Sequence, residues 1–207
     1  MLSRLFLPRF VREGPNATLD SQRHFEAGLR LATEGKYPLA MLELKQAVRA
    51  DPESAEARVE LGRTYQKTGQ VRKAVKTYLA AIELRPRLVP AYVNLGAAYD
   101  ELGDFVNALK VFTKAIVLAP QDADLRNHLG MVYFSIGSYA EAIKAYRQAL
   151  VIDPDNDRAH YCLGLAYLDL NDTKMALEEH GQMKSGDDAG LAAKLMEKIQ
   201  QQMQPKA

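Results

Sequence analysis

The side chains best suited to chemistry in this sequence of 207 residues are four histidines and one cysteine. The histidines are His24, His128, His160 and His180. They are spread along the chain without the close helical spacing that pairs of zinc ligands need. No histidine lies at a spacing that would identify it as the base activating the thiol of Cys162. We therefore predict a noncatalytic protein with no metal site and no cofactor.

The composition excludes several classes of function. The chain carries 27 basic and 26 acidic side chains, whereas proteins that bind nucleic acid usually have a marked positive excess. Its apolar runs are far shorter than the roughly 20 residues that span a bilayer, and residues 1–14 lack the apolar core of a secretory signal. A single cysteine cannot form an internal disulfide. We predict a cytoplasmic protein that does not bind nucleic acid.

The elements that carry these residues repeat every 34 residues. Units that begin at Ser21, Ala55, Val89, Ala123 and Asp157 all have glycine at the eighth position and alanine at the twentieth. Apolar residues around both positions recur three and four apart, which indicates helices. Glycine inside a helix costs about 1 kcal/mol relative to alanine, so we expect a compensating contact at each glycine. We predict that a second, antiparallel helix crosses the first at the glycine and contacts it through the alanine at position twenty. The eleventh residue, usually tyrosine, is expected to fill the adjacent space.

Turn residues recur in the same phase. The fifteenth position holds Gly35, Gly69, Gly103, Gly137 and Asn171, and the thirty-second holds Pro52, Pro86, Pro120 and Pro154. These residues predict a left-handed turn after the first helix and a stop after the second. The expected units are residues 21–54, 55–88, 89–122, 123–156 and 157–190. The fifth unit is atypical, as a terminal repeat should be, and residues 191–207 are expected to form a capping helix and tail with an apolar stripe of Leu191, Leu195 and Ile199.

The pattern resembles the tetratricopeptide repeat family over Ser21 to Gly190. The resemblance also includes an aromatic residue at position twenty-four of most units and alanine at position twenty-seven, whereas the fourth position lacks the family's tryptophan. It implies an all-α fold, an α-solenoid in which helix pairs stack into a right-handed superhelix. It also implies that the first helix of each pair lines a concave surface that binds protein segments.

On this resemblance, positions five and nine, with Asn94, are expected to line the concave groove. The residues are Phe25, Leu29, Val59, Arg63, Val93, Asn94, Ala97, Asn127, Met131, Tyr161 and Leu165. Such an apolar groove would accept an amphipathic helix or an extended peptide segment, with two to four apolar anchors giving binding of about 8 kcal/mol, in the micromolar range. The alternative is that some of these side chains pack against the preceding unit's second helix.

Charge is distributed unevenly along the repeats. Residues 55–88 contain eight basic and three acidic side chains, whereas residues 157–190 contain three basic and seven acidic ones. The simplest explanation is that these charged side chains are scattered over the surface and solvated. The alternative is electrostatic complementarity between two copies of the chain, or with one acidic partner.

Residues 1–20 are expected to form a basic amphipathic segment and a linker. Within residues 1–14, apolar side chains lie mostly on one side of a helical wheel and Arg4, Arg9 and Arg12 on the other, with Pro8 between them. This segment could contact a membrane surface, act as a presequence, dock in a groove of its own or another copy through a hinge at Gly14 to Asn16, or cover the first unit as an extra helix.

Two functional hypotheses follow. The first is a noncatalytic adaptor that binds a partner segment along the groove. The second is a self-assembling scaffold, a homo-oligomer that lies peripheral to a membrane or organelle surface through its N-terminal segment.

Overall fold

The computed structural model describes residues 15–184 and 189–204, which form eleven α-helices and no strand. The predicted all-α class is therefore confirmed. The chain divides into an N-terminal unit that ends at Pro86 and a C-terminal unit that begins at Arg87. The N-terminal unit contains α1 (Pro15–Thr33), α2 (Tyr37–Ala50), α3 (Ala55–Lys67) and α4 (Val71–Leu84). The C-terminal unit contains α5 (Val89–Glu101), α6 (Phe105–Leu118), α7 (Ala123–Ser135), α8 (Tyr139–Ile152), α9 (Asp157–Asp169), α10 (Thr173–Gln182) and α11 (Ala189–Met203).

Helices α1 to α10 form five consecutive pairs, and local sequence fixes where several of them begin and end. The Ser54 hydroxyl accepts a hydrogen bond from the amide of Ala57 at the start of α3, and the Asn156 side chain does the same for Ala159 in α9. The glycines at position fifteen have φ of 72–75°, and Asn171 has φ of 61°. These are the left-handed turns predicted from the sequence.

The glycines at position eight face a different partner from the one we predicted. A β-carbon at Gly62 would lie 2.4 Å from Cε1 of Tyr78, and one at Gly96 would lie 2.6 Å from Cζ of Phe112. The alanines at position twenty are fully buried. However, in the first four units it is the large side chain at position twenty-four of the second helix that leaves no room for a β-carbon.

The start of α1 also differs from the sequence-based expectation. The helix begins at Pro15, so residues 15–20 are its first turns rather than a linker. The predicted hinge at Gly14 to Asn16 therefore has its last two residues inside a helix, while residues 1–14 lie outside the described part of the chain. None of the helices in the described ranges is long and apolar enough to cross a membrane.

Candidate functional site between the repeats

Most of the predicted groove residues lie at least partly on the surface. Arg63 and Met131 are exposed, and Phe25, Leu29, Val93, Asn94, Ala97, Tyr161 and Leu165 are partly exposed. Val59 and Asn127 are buried, with exposed fractions of 5% and 2%. The placement of these two on an open surface was therefore wrong.

Three of the predicted residues meet in one pocket between α7 and α9. This α7–α9 pocket has a volume of about 230 Å³. Its lining consists of Met131, Phe134, Ser135, Tyr146, Tyr161, Cys162 and Leu165. The lining is mainly aromatic and aliphatic, and Met131 is 39% exposed at the surface. The pocket can therefore take an apolar side chain from outside, because such a side chain would leave water for carbon contacts.

Cys162, the only cysteine of the chain, lies in this pocket. Burial raises the pKa of the Cys162 thiol to about 11, so the thiol stays protonated. Burial, followed by the effect of Cys162, also raises the pKa of the Tyr146 hydroxyl. The two groups contribute weakly polar atoms to a mainly apolar wall.

A second pocket lies between α1 and α3 in the N-terminal unit and has a volume of about 210 Å³. Leu29, Ala32 and Tyr37 contribute its apolar surface. The polar and charged remainder of the lining consists of Thr33, Glu60, Arg63, Thr64 and Lys67. In that charged part, Nη1 of Arg63 lies 3.2 Å from Oε1 of Glu60. This α1–α3 pocket is therefore more polar than the α7–α9 pocket.

The two pockets occupy the same position in the repeat. Each uses the ninth, twelfth and thirteenth residues of one first helix, and the sixth and ninth residues of the first helix in the next repeat. Sequence analysis found the fifth and ninth positions, and the sixth position only at Asn94, but missed the twelfth and thirteenth. The 34-residue period could have predicted the missed positions, because a pocket between two repeats is lined by residues from both of them.

Two of the four histidines, His24 and His160, form hydrogen bonds with glutamates. Nδ1 of His24 lies 2.6 Å from Oε2 of Glu43, and Nδ1 of His160 lies 2.7 Å from Oε2 of Glu179. Both pairs join the fourth and twenty-third positions of a repeat, and the hydrogen bond to Glu179 raises the pKa of His160. Among the residues described, no group of three or more histidine, cysteine or acidic side chains could hold a metal ion.

Sequence comparisons agree with this architecture. Family profiles for tetratricopeptide repeats match residues 31–99, 89–122 and 130–171. No curated protein matches the sequence.

Several solved structures share the fold. The crystal structure of MamA is 26% identical, covers 91% of this chain and 98% of its own, and has a TM-score of 0.68. A thermophilic tetratricopeptide repeat protein from Thermus thermophilus is 24% identical, with coverage of 87% and 99% and a TM-score of 0.72. YrrB, described as a protein of this kind with an unusual peptide-binding site, is 20% identical, with coverage of 84% and 90% and a TM-score of 0.62.

Proposed function

Because the chain belongs to the tetratricopeptide repeat family, we propose that it is a noncatalytic adaptor that binds a segment of a partner protein. The observation that carries this proposal is the α7–α9 pocket, where Met131, Tyr161 and Leu165 offer apolar surface that the chain leaves partly exposed. An apolar side chain of the partner is the anchor that fits this surface.

The energetics of one anchor set the expected strength of binding. Burial of one large apolar side chain contributes roughly 1.5–3 kcal/mol, and part of this is lost in ordering a flexible peptide. One pocket alone therefore gives weak binding. Additional contacts along the first helices of neighbouring repeats are needed to reach the micromolar range.

The proposal can be tested by panning a random peptide library against the immobilised full-length protein. We expect enriched peptides to carry a large apolar residue, and a Met131→Gln, Tyr161→Ser double variant to lose this enrichment. Val117→Gln is the matched control, because Val117 is 76% exposed and lies outside the pocket. No enrichment by the parent protein, or equal enrichment by the double variant, would contradict the proposal.

A second candidate function, self-association, is supported by the separation of charge along the chain. Residues 15–86 contain 12 basic and 9 acidic side chains, whereas residues 87–207 contain 12 basic and 16 acidic ones. Opposite net charges on two parts of one chain favour encounter between copies. Light scattering after size-exclusion chromatography should then show assemblies that shrink in high salt and on deletion of residues 1–14. The mass of a single chain under all conditions would exclude this function.

A further inference from the structure

The α1–α3 pocket is lined by charged side chains at positions where the α7–α9 pocket is apolar. The sixth and ninth residues of the later repeat are Glu60 and Arg63 in the α1–α3 pocket, whereas they are Cys162 and Leu165 in the α7–α9 pocket. Lys67, one helical turn beyond Arg63, also lines the α1–α3 pocket. Two pockets at the same place in the repeat are therefore expected to prefer different side chains.

The charged side of the α1–α3 pocket has one positive charge in excess. Residues four apart lie on the same face of a helix, so Arg63 and Lys67 both present cations to the pocket. Arg63 is paired with Glu60. Lys67 is exposed, and among the residues that the structure describes no acidic side chain forms an ion pair with it. A carboxylate that enters from outside would therefore meet an ammonium group that is not yet neutralised.

The pocket also offers more hydrogen-bond donors than acceptors. Tyr37 contributes a phenol hydroxyl, Lys67 an ammonium group and Arg63 a guanidinium group. The two threonine hydroxyls of the lining donate to carbonyl groups of their own helices. An ionised carboxylate is an acceptor only, and its hydrogen bonds from lysine and arginine are assisted by charge. It is therefore the group that complements these donors.

The rest of the pocket suits the stem of an acidic side chain. The volume is about 210 Å³, whereas a cavity of about 150 Å³ is enough for a benzene molecule. Leu29 and Ala32 supply an apolar wall, against which the methylene groups of a glutamate would leave water. Glutamate has one methylene group more than aspartate, so it covers more of this wall.

We infer that the α1–α3 pocket binds an acidic side chain of the partner segment, glutamate in preference to aspartate, and that Lys67 and Arg63 donate hydrogen bonds to its carboxylate. This inference rests on the proposed adaptor function and specifies a second feature of its ligand. Residues 55–84, which form α3, α4 and the turn between them, carry six basic and three acidic side chains. This excess of positive charge would speed the encounter with an acidic segment.

The test compares the peptides that are enriched from a random library by the full-length parent protein, by Lys67→Gln and by Lys76→Gln. The peptides are fused to their carrier through the C-terminus, so that each carboxylate belongs to an aspartate or glutamate side chain. Lys76 is exposed on α4 and lies outside the pocket. Lys76→Gln changes the net charge by the same amount and is therefore the matched control. Far-ultraviolet circular dichroism confirms that each variant is helical before panning.

We expect the parent protein and Lys76→Gln to enrich peptides that contain a glutamate or aspartate, and Lys67→Gln to lose this preference. For a synthetic copy of one enriched peptide, amidated at its C-terminus, Lys67→Gln should raise Kd about two- to fivefold, the range of an exposed ion pair. Glutamine in place of the enriched acidic residue should raise Kd for the parent protein by a similar factor. It should have little further effect on binding to Lys67→Gln, because the two changes remove the same contact.

The outcomes separate the inference from the function on which it rests. Enrichment of peptides without an acidic preference, or an equal acidic preference in Lys67→Gln, overturns the inference and leaves the adaptor function standing. Additive effects of the two glutamine substitutions on Kd also overturn the inference alone. No enrichment of any peptide by the parent protein overturns both.

Discussion

Leu195 of α11 lies against Gly164 of α9, where a β-carbon on the glycine would be 2.7 Å from Cδ2 of the leucine. In the preceding repeats this place beside the first helix belongs to the twenty-fourth residue of the second helix, such as Tyr146 beside Gly130. The fifth repeat has His180 at position twenty-four. The terminal helix therefore supplies the large side chain that α10 does not place there.

This relationship predicts that Leu195→Ala destabilises the end of the C-terminal unit. Leu195 is fully buried in a cluster with Leu163, Ala166 and Ile199, and such a truncation leaves a cavity that costs about 2–5 kcal/mol. Hydrogen exchange of the amides in α9 and α11 should speed up, with a smaller change in α5. Met203→Ala is the control, because Met203 is 64% exposed. Unchanged exchange in α9 would show that α11 does not stabilise it.

Two glycines offer a matched pair of substitutions. Gly→Ala inside a helix normally stabilises by up to about 1 kcal/mol, and Gly181→Ala should show this gain because a β-carbon there meets nothing within 4 Å. Gly96→Ala should instead destabilise by about 1–3 kcal/mol, because the new methyl group would strike the ring of Phe112, which is only 1% exposed. Urea denaturation of both variants measures the difference. A gain at both positions would mean that the ring of Phe112 moves aside freely.

The sequence was sufficient to predict the helices and their turns, but not every contact between them. The period of 34 residues placed Gly103 and Asn171 in left-handed turns, where the structure has them, because these conformations depend on local backbone sterics. The partner of Gly96 is Phe112 rather than the predicted alanine, since helix rotation and side-chain length decide which atom comes nearest. In the same way, Asn127 was expected on the surface but is buried, because exposure depends on how neighbouring repeats pack.

The pair of His160 and Glu179 predicts a pH-dependent contribution to stability. The hydrogen bond to Glu179 raises the pKa of His160 above its ordinary value. A raised folded-state pKa of a histidine adds stability that is fully present below the unfolded pKa, about 6.5, and is lost as the pH rises through the folded pKa. Glu179→Gln should therefore lower Tm by a few degrees at pH 5.5 and by less at pH 9.

Thermal melts of the parent protein, Glu179→Gln and Glu178→Gln at the two pH values test this prediction. Glu178 is exposed and lies 3.9 Å from Lys174 on the same helix, so its substitution should have little effect. An equal loss of Tm by Glu179→Gln at both pH values would show that the pair acts only as a neutral hydrogen bond.

The carboxyl group of Asp100 predicts the opposite dependence of stability on pH. Burial raises the pKa of its carboxyl group, so the ionised form is penalised in the folded state above the folded pKa, and the penalty disappears as the pH falls through that pKa towards the unfolded one. Asp100→Asn removes the penalty. The variant should melt one or two degrees above the parent protein at pH 7.5, and this advantage should vanish near pH 4. Asp169→Asn is the control and should show no such gain, because Asp169 is exposed at the end of α9. If Asp100→Asn instead melted below the parent at pH 7.5, the carboxylate would have a stabilising partner within the fold.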